Sequence, residues 1–225
     1  MTSRSHRSEP VTTAASERRP LTSDAVVDAA WRLVEEYGAD ALTMRRLADE
    51  VGAAVTAIYW HVGNRDALLD LLVDRIVDDM GHIRASGRTP EARIASLARS
   101  LRRKLLARPH LIGLAHERSR TAALFQPVQA ALARELASLG LHGNDAALAI
   151  RVIQCHVVAS VVLERTASRG PTHETTDAGL WPENQADPEL VRGLATVPDF
   201  NEVFDYGLRA LLATLPDSSR PLNSR

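Results

Sequence analysis

From Thr22 onward, apolar residues recur at helical spacing, and nowhere do they alternate with polar ones as a strand requires. Val26, Val27, Ala30, Trp31 and Val34 share one face of a first helix, with Thr22 as its cap and Gly38 as its stop. Thr43 caps a short helix to about Glu50, Gly52 supplies a turn, and a third helix covers Val55 to Trp60. Asn64 caps a longer helix through Leu68, Leu69, Leu72, Ile76 and Val77. Further helices are expected after Thr89-Pro90, from Pro109 to about His116, and over residues 121–138 and 144–166. A last one runs from a capping box, Asp199 with Glu202, to about Leu215. Aromatics are only 4% of the chain, so these helices must pack through aliphatic side chains. The fold class that follows is all-α. Residues 167–198 break the pattern with Gly170, Pro171, Pro182, Pro188 and Pro198. They read as a long connection with one short helix near Pro188–Ala195, and connections this long are usually functional or mobile.

The segment Ala41–Leu72 reads ALTMRRLADEVGAAVTAIYWHVGNRDALLDLL. It holds two helices, each too short to stand alone, on either side of a glycine turn. Leu42, Leu47, Ala48, Val51, Ile58 and Val62 are spaced to form their mutual contact. This is a helix-turn-helix pattern, in which the second helix enters a DNA major groove while the first crosses the backbone. Val55, Thr56, Ala57, Tyr59, Trp60 and His61 are left facing outward. Two adjacent aromatics on a small exposed helix are costly unless they meet a partner. Tyr59 and His61 can donate to phosphate, Thr56 can bond a base edge, and small apolar residues can meet a thymine methyl. Arg45, in the first turn of the crossing helix, is placed for phosphate. Trp60 is expected to be partly core. A head-to-body packing cluster remains the other reading of the Tyr59-Trp60-His61 triplet.

Charge adds a puzzle. The formal net charge is −1, so no bulk attraction to nucleic acid exists and binding must come from local patterning. Leu21–Gly81 carries five arginines against twelve acids, an unusual balance for a DNA-binding head. Position relieves it: Arg45, Arg46 and Arg65 cluster at the helix-turn-helix, while Asp70, Asp74 and Asp78 line the helix leading away. Residues 1–20 read as a flexible, mildly basic arm without the apolar core of a secretory signal. No unbroken apolar run reaches the roughly 18 residues of a membrane span. A cytoplasmic chain with no membrane partner is therefore expected. Cys155 stands alone, which excludes an internal disulfide, and it is expected to be a buried small hydrophobe.

The run LTMRRLADEVG…IYWHVGNRDALLDLL resembles the DNA-binding domain of the TetR family of bacterial transcriptional regulators. The Tyr59-Trp60-His61-Val62 form resembles the tetracycline-repressor subgroup. The likeness covers residues 22–80 and continues into the helix around Ala146–Glu164 and the last helix, EVFDYGLRALLATL. The resemblance implies an all-α homodimer with an N-terminal three-helix head and a ligand-binding body. It divides the chain into an arm (1–20), the head (21–66), an effector-binding and dimerisation body (67–216) and a tail (217–225). It maps DNA contacts onto Arg45, Thr56, Ala57, Tyr59, Trp60, His61 and Arg65, with Val55 beside them. Ala54 stands where many members cap the recognition helix with Ser or Thr.

The resemblance also implies a repressor released from a palindromic operator by a small molecule. The aliphatic body points to a hydrophobic effector. Its expected contacts are Leu101, Leu105, Leu114, His116, Phe125, Val128, Gln129, Gln154, Val157 and Trp181, with Trp181 in a lid or entry segment. Gln154 and His156 are either polar anchors in a pocket or satisfied groups in a dimer interface. The helices 144–166 and 201–215 carry apolar residues beyond one stripe, so each needs a second partner, and a two-fold four-helix contact supplies it. The histidines are not at metal spacing, and no nucleophile–base–acid set is visible, so no metal, cofactor or enzymatic activity is expected. The competing reading is a helix-turn-helix regulator whose body is a protein-interaction module without a small-molecule effector.

Overall fold

The computed structural model describes residues 20–169 and 187–215. They form helices α1 Ser23–Tyr37, α2 Met44–Val51, α3 Val55–Val62, α4 Arg65–Gly81, α5 Pro90–Ala107, α6 Pro109–Glu117, α7 Thr121–Ser138, α8 Gly143–Arg169, α9 Pro188–Ala195 and α10 Phe200–Ala213. The described residues contain no strand. A single 3-10 turn, Ala39–Ala41, joins α1 to α2 and was not legible in the periodicity. The caps are where side-chain chemistry puts them. The hydroxyls of Thr22, Thr43 and Thr89 accept from the amides of Ala25, Arg46 and Ala92 at 3.1–3.2 Å. Asn64 accepts from Ala67 at 2.8 Å, and Asp199 accepts from Asn201 at 2.8 Å. Each cap satisfies amides that the helix start leaves without partners.

α1, α2 and α3 close on one another around Val26, Ala30, Leu33, Val34, Leu42, Leu47 and Ile58, all buried. Gly52 makes the turn between α2 and α3 at φ 66°, a left-handed conformation that a Cβ would strain. α4 leaves this head and packs on α1, α6 and α7. Its buried residues, Leu68, Leu69, Leu72, Val73, Ile76 and Met80, cover two sides because two groups of helices flank it. α5, α7 and α8 form the body's core, and α10 lies against α8 and α5.

α8 is strongly apolar on average although polar residues interrupt its apolar run. Gly143–Ser168 is long and apolar enough to cross a membrane, with a mean hydropathy of 2.0 over its best window, yet little of it is buried within the chain. Arg151, Gln154 and His156 interrupt the run without lowering its average much. Its inner face, Ile153, Val157 and Val161, is buried in the body. Leu148, Val152, Val162 and Leu163 are exposed, as are Val203 and Tyr206 on α10. Cys155 is exposed on α8 as well, so the expectation of a buried thiol is corrected. Helix 3.6-residue geometry turns it away from the face that packs.

α8 and α10 approach closely at Gly207. A Cβ there would lie 2.5 Å from Cε1 of His156. That ring cannot move freely, because Nε2 pairs with the Phe204 carbonyl at 2.9 Å and the imidazole stacks on the Phe204 ring. Gly207→Ala is therefore expected to destabilise the chain by about 1–3 kcal/mol through overpacking. Adding His156→Ala should recover part of the loss. A urea midpoint for Gly207→Ala equal to that of the parent chain would show that the crossing tolerates a methyl group.

Candidate nucleic-acid interface

The outward side of α3 is built by what its inward side must do. Ile58 and Val62 are buried against α1 and α2, which fixes the helix's rotation. Val55, Thr56, Tyr59 and Trp60 are then exposed, and Ala57 and His61 half-buried. Trp60 is 82% exposed, so its expected partial burial is corrected. It sits one residue past Tyr59 on the rim, where no body helix reaches it, and only the edge of His61 touches it, at 4.8 Å between ring centres. The His61 carbonyl accepts from Ser23 Oγ at 2.6 Å, which ties the end of α3 to the start of α1. Ala54 offers no side-chain cap to the first amides of α3.

Arg45 is exposed on α2 and has no hydrogen-bond or ion-pair partner among the described residues. Arg65 is different. Its Nε donates to the Leu42 carbonyl and its Nη2 to the Ala39 carbonyl, both at 2.8 Å. Two of its donor groups thus fasten α4 to the loop between α1 and α2. Those carbonyls open and cap the 3-10 turn that the sequence did not reveal. Arg46 also has an internal role, lying 4.1 Å from the centre of the Tyr37 ring.

The acid surplus of the head has a tertiary answer. Asp66, Asp70 and Asp74 lie one turn apart along α4, and the α6–α7 corner brings two arginines to them. Arg118 bonds Asp70 at 2.6 Å and reaches Asp66 at 3.4 Å, and Arg120 bonds Asp74 at 2.6 Å. The hydrogen bond from Arg118 holds the Asp70 carboxyl below its ordinary value near 3.8, and the same contact raises the Arg118 guanidinium. At the far end of α4, Lys104 and Arg108 both pair with Asp79, at 2.6 and 3.1 Å. Body cations thus neutralise the acidic stripe without occupying the α3 face. The spacing of the aspartates was visible in the sequence. Their partners, 25 to 52 residues downstream, were not.

The expected effector residues are placed as follows. Leu101, Leu105, Leu114, Phe125, Val128 and Val157 are all buried in the body's core. Gln129 Nε2 donates to Gln154 Oε1 at 2.8 Å, so two of the expected polar contacts satisfy each other across α7 and α8. His116 is exposed, its Nδ1 3.1 Å from Thr121 Oγ1. Trp181 lies outside the described residues. A cavity of about 730 Å³ between the end of α1, α6 and α8 has His116 in its wall. Further cavities of about 340 and 590 Å³ lie between α8 and α10, and one of about 510 Å³ lies between α5 and α10. None of these four is lined by the six core residues or the two glutamines. His156 proves to be satisfied within the chain, against α10.

A left-handed glycine turn, a crossing helix with a free arginine and an exposed aromatic recognition helix define a helix-turn-helix DNA-binding protein. Residues 26–72 match the family described as bacterial regulatory proteins, tetR family, and residues 85–217 match the tetracyclin repressor-like C-terminal domain. The chain is 32% identical over 203 residues to an HTH-type transcriptional regulator of Saccharopolyspora erythraea, covering 88% of this chain and 86% of that one. It is 32% identical over 197 residues to the tetracycline repressor protein class C of Escherichia coli, covering 79% and 89%. Among solved structures it is similar to ActR of Streptomyces coelicolor in complex with actinorhodin, at 30% identity and a TM-score of 0.62, covering 87% and 96%. The chain belongs to the TetR family of DNA-binding transcriptional regulators.

An Arg45→Ala protein is expected to bind DNA more weakly across all sequences, with the salt dependence of log K flattened by about one unit. Fluorescence anisotropy on operator and unrelated duplexes at several salt concentrations measures both. Unchanged affinity and slope would remove Arg45 from the interface.

Proposed function

We propose that this chain is a homodimeric repressor that leaves a two-fold operator when a hydrophobic small molecule enters its body. The observation that carries this reading is α4. It is continuous from the recognition helix to the core of the body, and ion pairs tie it along its length to the α6–α7 corner and to α5. In this reading Arg45, Tyr59, His61 and the remaining donor of Arg65 hold phosphates. Val55, Thr56, Ala57 and Trp60 meet the groove. The dimer forms through α8 and α10, whose exposed apolar rows need a second partner. Two heads so joined read half-sites about 34–36 Å apart.

The effector is taken among Leu101, Leu105, Leu114, Phe125, Val128, Gln129, Gln154 and Val157, with His116 toward the entry. These core side chains are packed on one another, so a molecule seated among them must part α5, α7 and α8. That expansion displaces the far end of α4 and swings the head. ActR, a relative of similar length, is described in complex with actinorhodin, which supports a small-molecule effector for this body. Selecting bound sites from random DNA tests the operator. An inverted repeat is expected, and a single unrepeated half-site would count against the two-headed reading. A body that binds a protein partner and no small molecule is the competing reading, and the reciprocity measurement in the Discussion separates the two.

A further inference from the structure

We infer that the cleft between α5 and α10 binds a small organic monocarboxylate, at a site separate from the effector positions above. Arg99, Arg102, Arg103 and Leu106 occupy one face of α5, at i, i+3, i+4 and i+7, and look across at Asn201, Phe204 and Asp205 of α10. The cleft encloses about 510 Å³, within the size range of small-molecule sites.

Its charges do not balance. Arg99 pairs with Asp205 at 2.8 Å, and Arg102 pairs with Glu164 while also donating to Asn201 at 2.7 Å. Among the described residues, Arg103 has only a 3.2 Å contact with Ser100 on its own helix. Three cations thus meet two carboxylates, leaving one positive charge over. Arg102 is only 6% exposed, and its Nε is buried with no hydrogen-bond partner. Burying a cation is costly unless its donors are satisfied and its field is answered by an anion. A planar carboxylate matches the guanidinium fork of Arg103 and complements the whole cluster.

The cleft also has an apolar wall. Leu106, Ala107 and Phe204 continue it beyond the arginines. A bare inorganic anion would leave that wall wet, whereas a hydrocarbon or ring attached to the carboxylate would cover it. The proposed α8–α10 pairing would leave the cleft open. Asn201 and Asp205 lie on the side of α10 facing α5, while the exposed Val203 and Tyr206 lie roughly opposite.

Calorimetric titration of the full chain with octanoate, 1-octanol and inorganic phosphate tests this. Octanoate is expected to bind measurably better than either of the others. Arg103→Gln, at an exposed position, should weaken octanoate about tenfold with the thermal midpoint unchanged. Asp205→Asn, which frees Arg99, should tighten it. Octanoate binding that neither substitution alters places the site elsewhere and overturns the inference. Phosphate binding as tight as octanoate, or no octanoate binding at millimolar concentration, overturns it as well.

Discussion

Replacing Val152 or Leu163 by Arg is expected to turn the protein into a monomer and to cut operator affinity by about 10³-fold or more, toward non-specific binding. Both side chains are exposed in the single chain, so a charge there leaves the body's core intact. In a two-fold contact between α8 and α10 pairs the same positions are buried, and a guanidinium without a carboxylate partner is strongly disfavoured. The large effect arises because one head alone makes half the contacts and loses the fixed spacing of two. Sedimentation, circular dichroism and anisotropy together decide the matter. A folded variant that remains a dimer would sink the α8–α10 assembly. A folded monomer that keeps full operator affinity would sink the two-headed mechanism.

The second prediction concerns control. A small molecule that enters the body should change operator affinity by about 5–150-fold, and operator must weaken its binding by the same factor. Titrating a bound compound with and without operator measures this reciprocity directly. Equal affinities would favour the protein-interaction body. In the proposed mechanism, the ion pairs from Arg118 and Arg120 to α4 are the contacts through which the α6–α7 corner would move that helix. Arg118→Ala combined with Arg120→Ala should therefore bring the coupling factor toward one while compound binding persists. Coupling that survives the double substitution would mean that apolar packing on α4 carries the motion alone.

The Arg118–Asp70 pair carries a pH signature whose sign is fixed. Asp70 is depressed in the folded chain, so its contribution is fully present above the ordinary carboxylate value near 3.8. It is lost as pH falls through the depressed value. Coupling through this pair should thus be flat around neutrality and weaken only in acid.

Local chemistry made much of this protein legible. Thr22, Thr43, Asn64, Thr89 and Asp199 cap helices because a short polar side chain can reach amides two or three residues on, wherever the rest of the chain lies. Gly52 turns α2 into α3 for a reason internal to its own backbone. Ile58 and Val62 point inward because of their spacing alone, and that left Val55, Thr56 and Tyr59 outside. The exposed side of α3 was therefore written in the order of residues.

Long-range contacts were not. The sequence showed Arg65 as a cation beside a recognition helix, but only the packed head brings the Leu42 and Ala39 carbonyls within 2.8 Å of it. It showed an acidic stripe on α4, but the tertiary structure decided that Arg118, Arg120, Lys104 and Arg108 would answer it. It placed Leu101, Phe125 and Val157 among the expected effector contacts, and the structure packs all three into the body's core. Helical periodicity reports which face is apolar, and it is silent on whether that face meets a ligand or another helix. Trp60 and Cys155 were misjudged for the same reason. Residue type sets the tendency to be buried, but the partner that would cover a side chain exists only once the helices have been arranged in space.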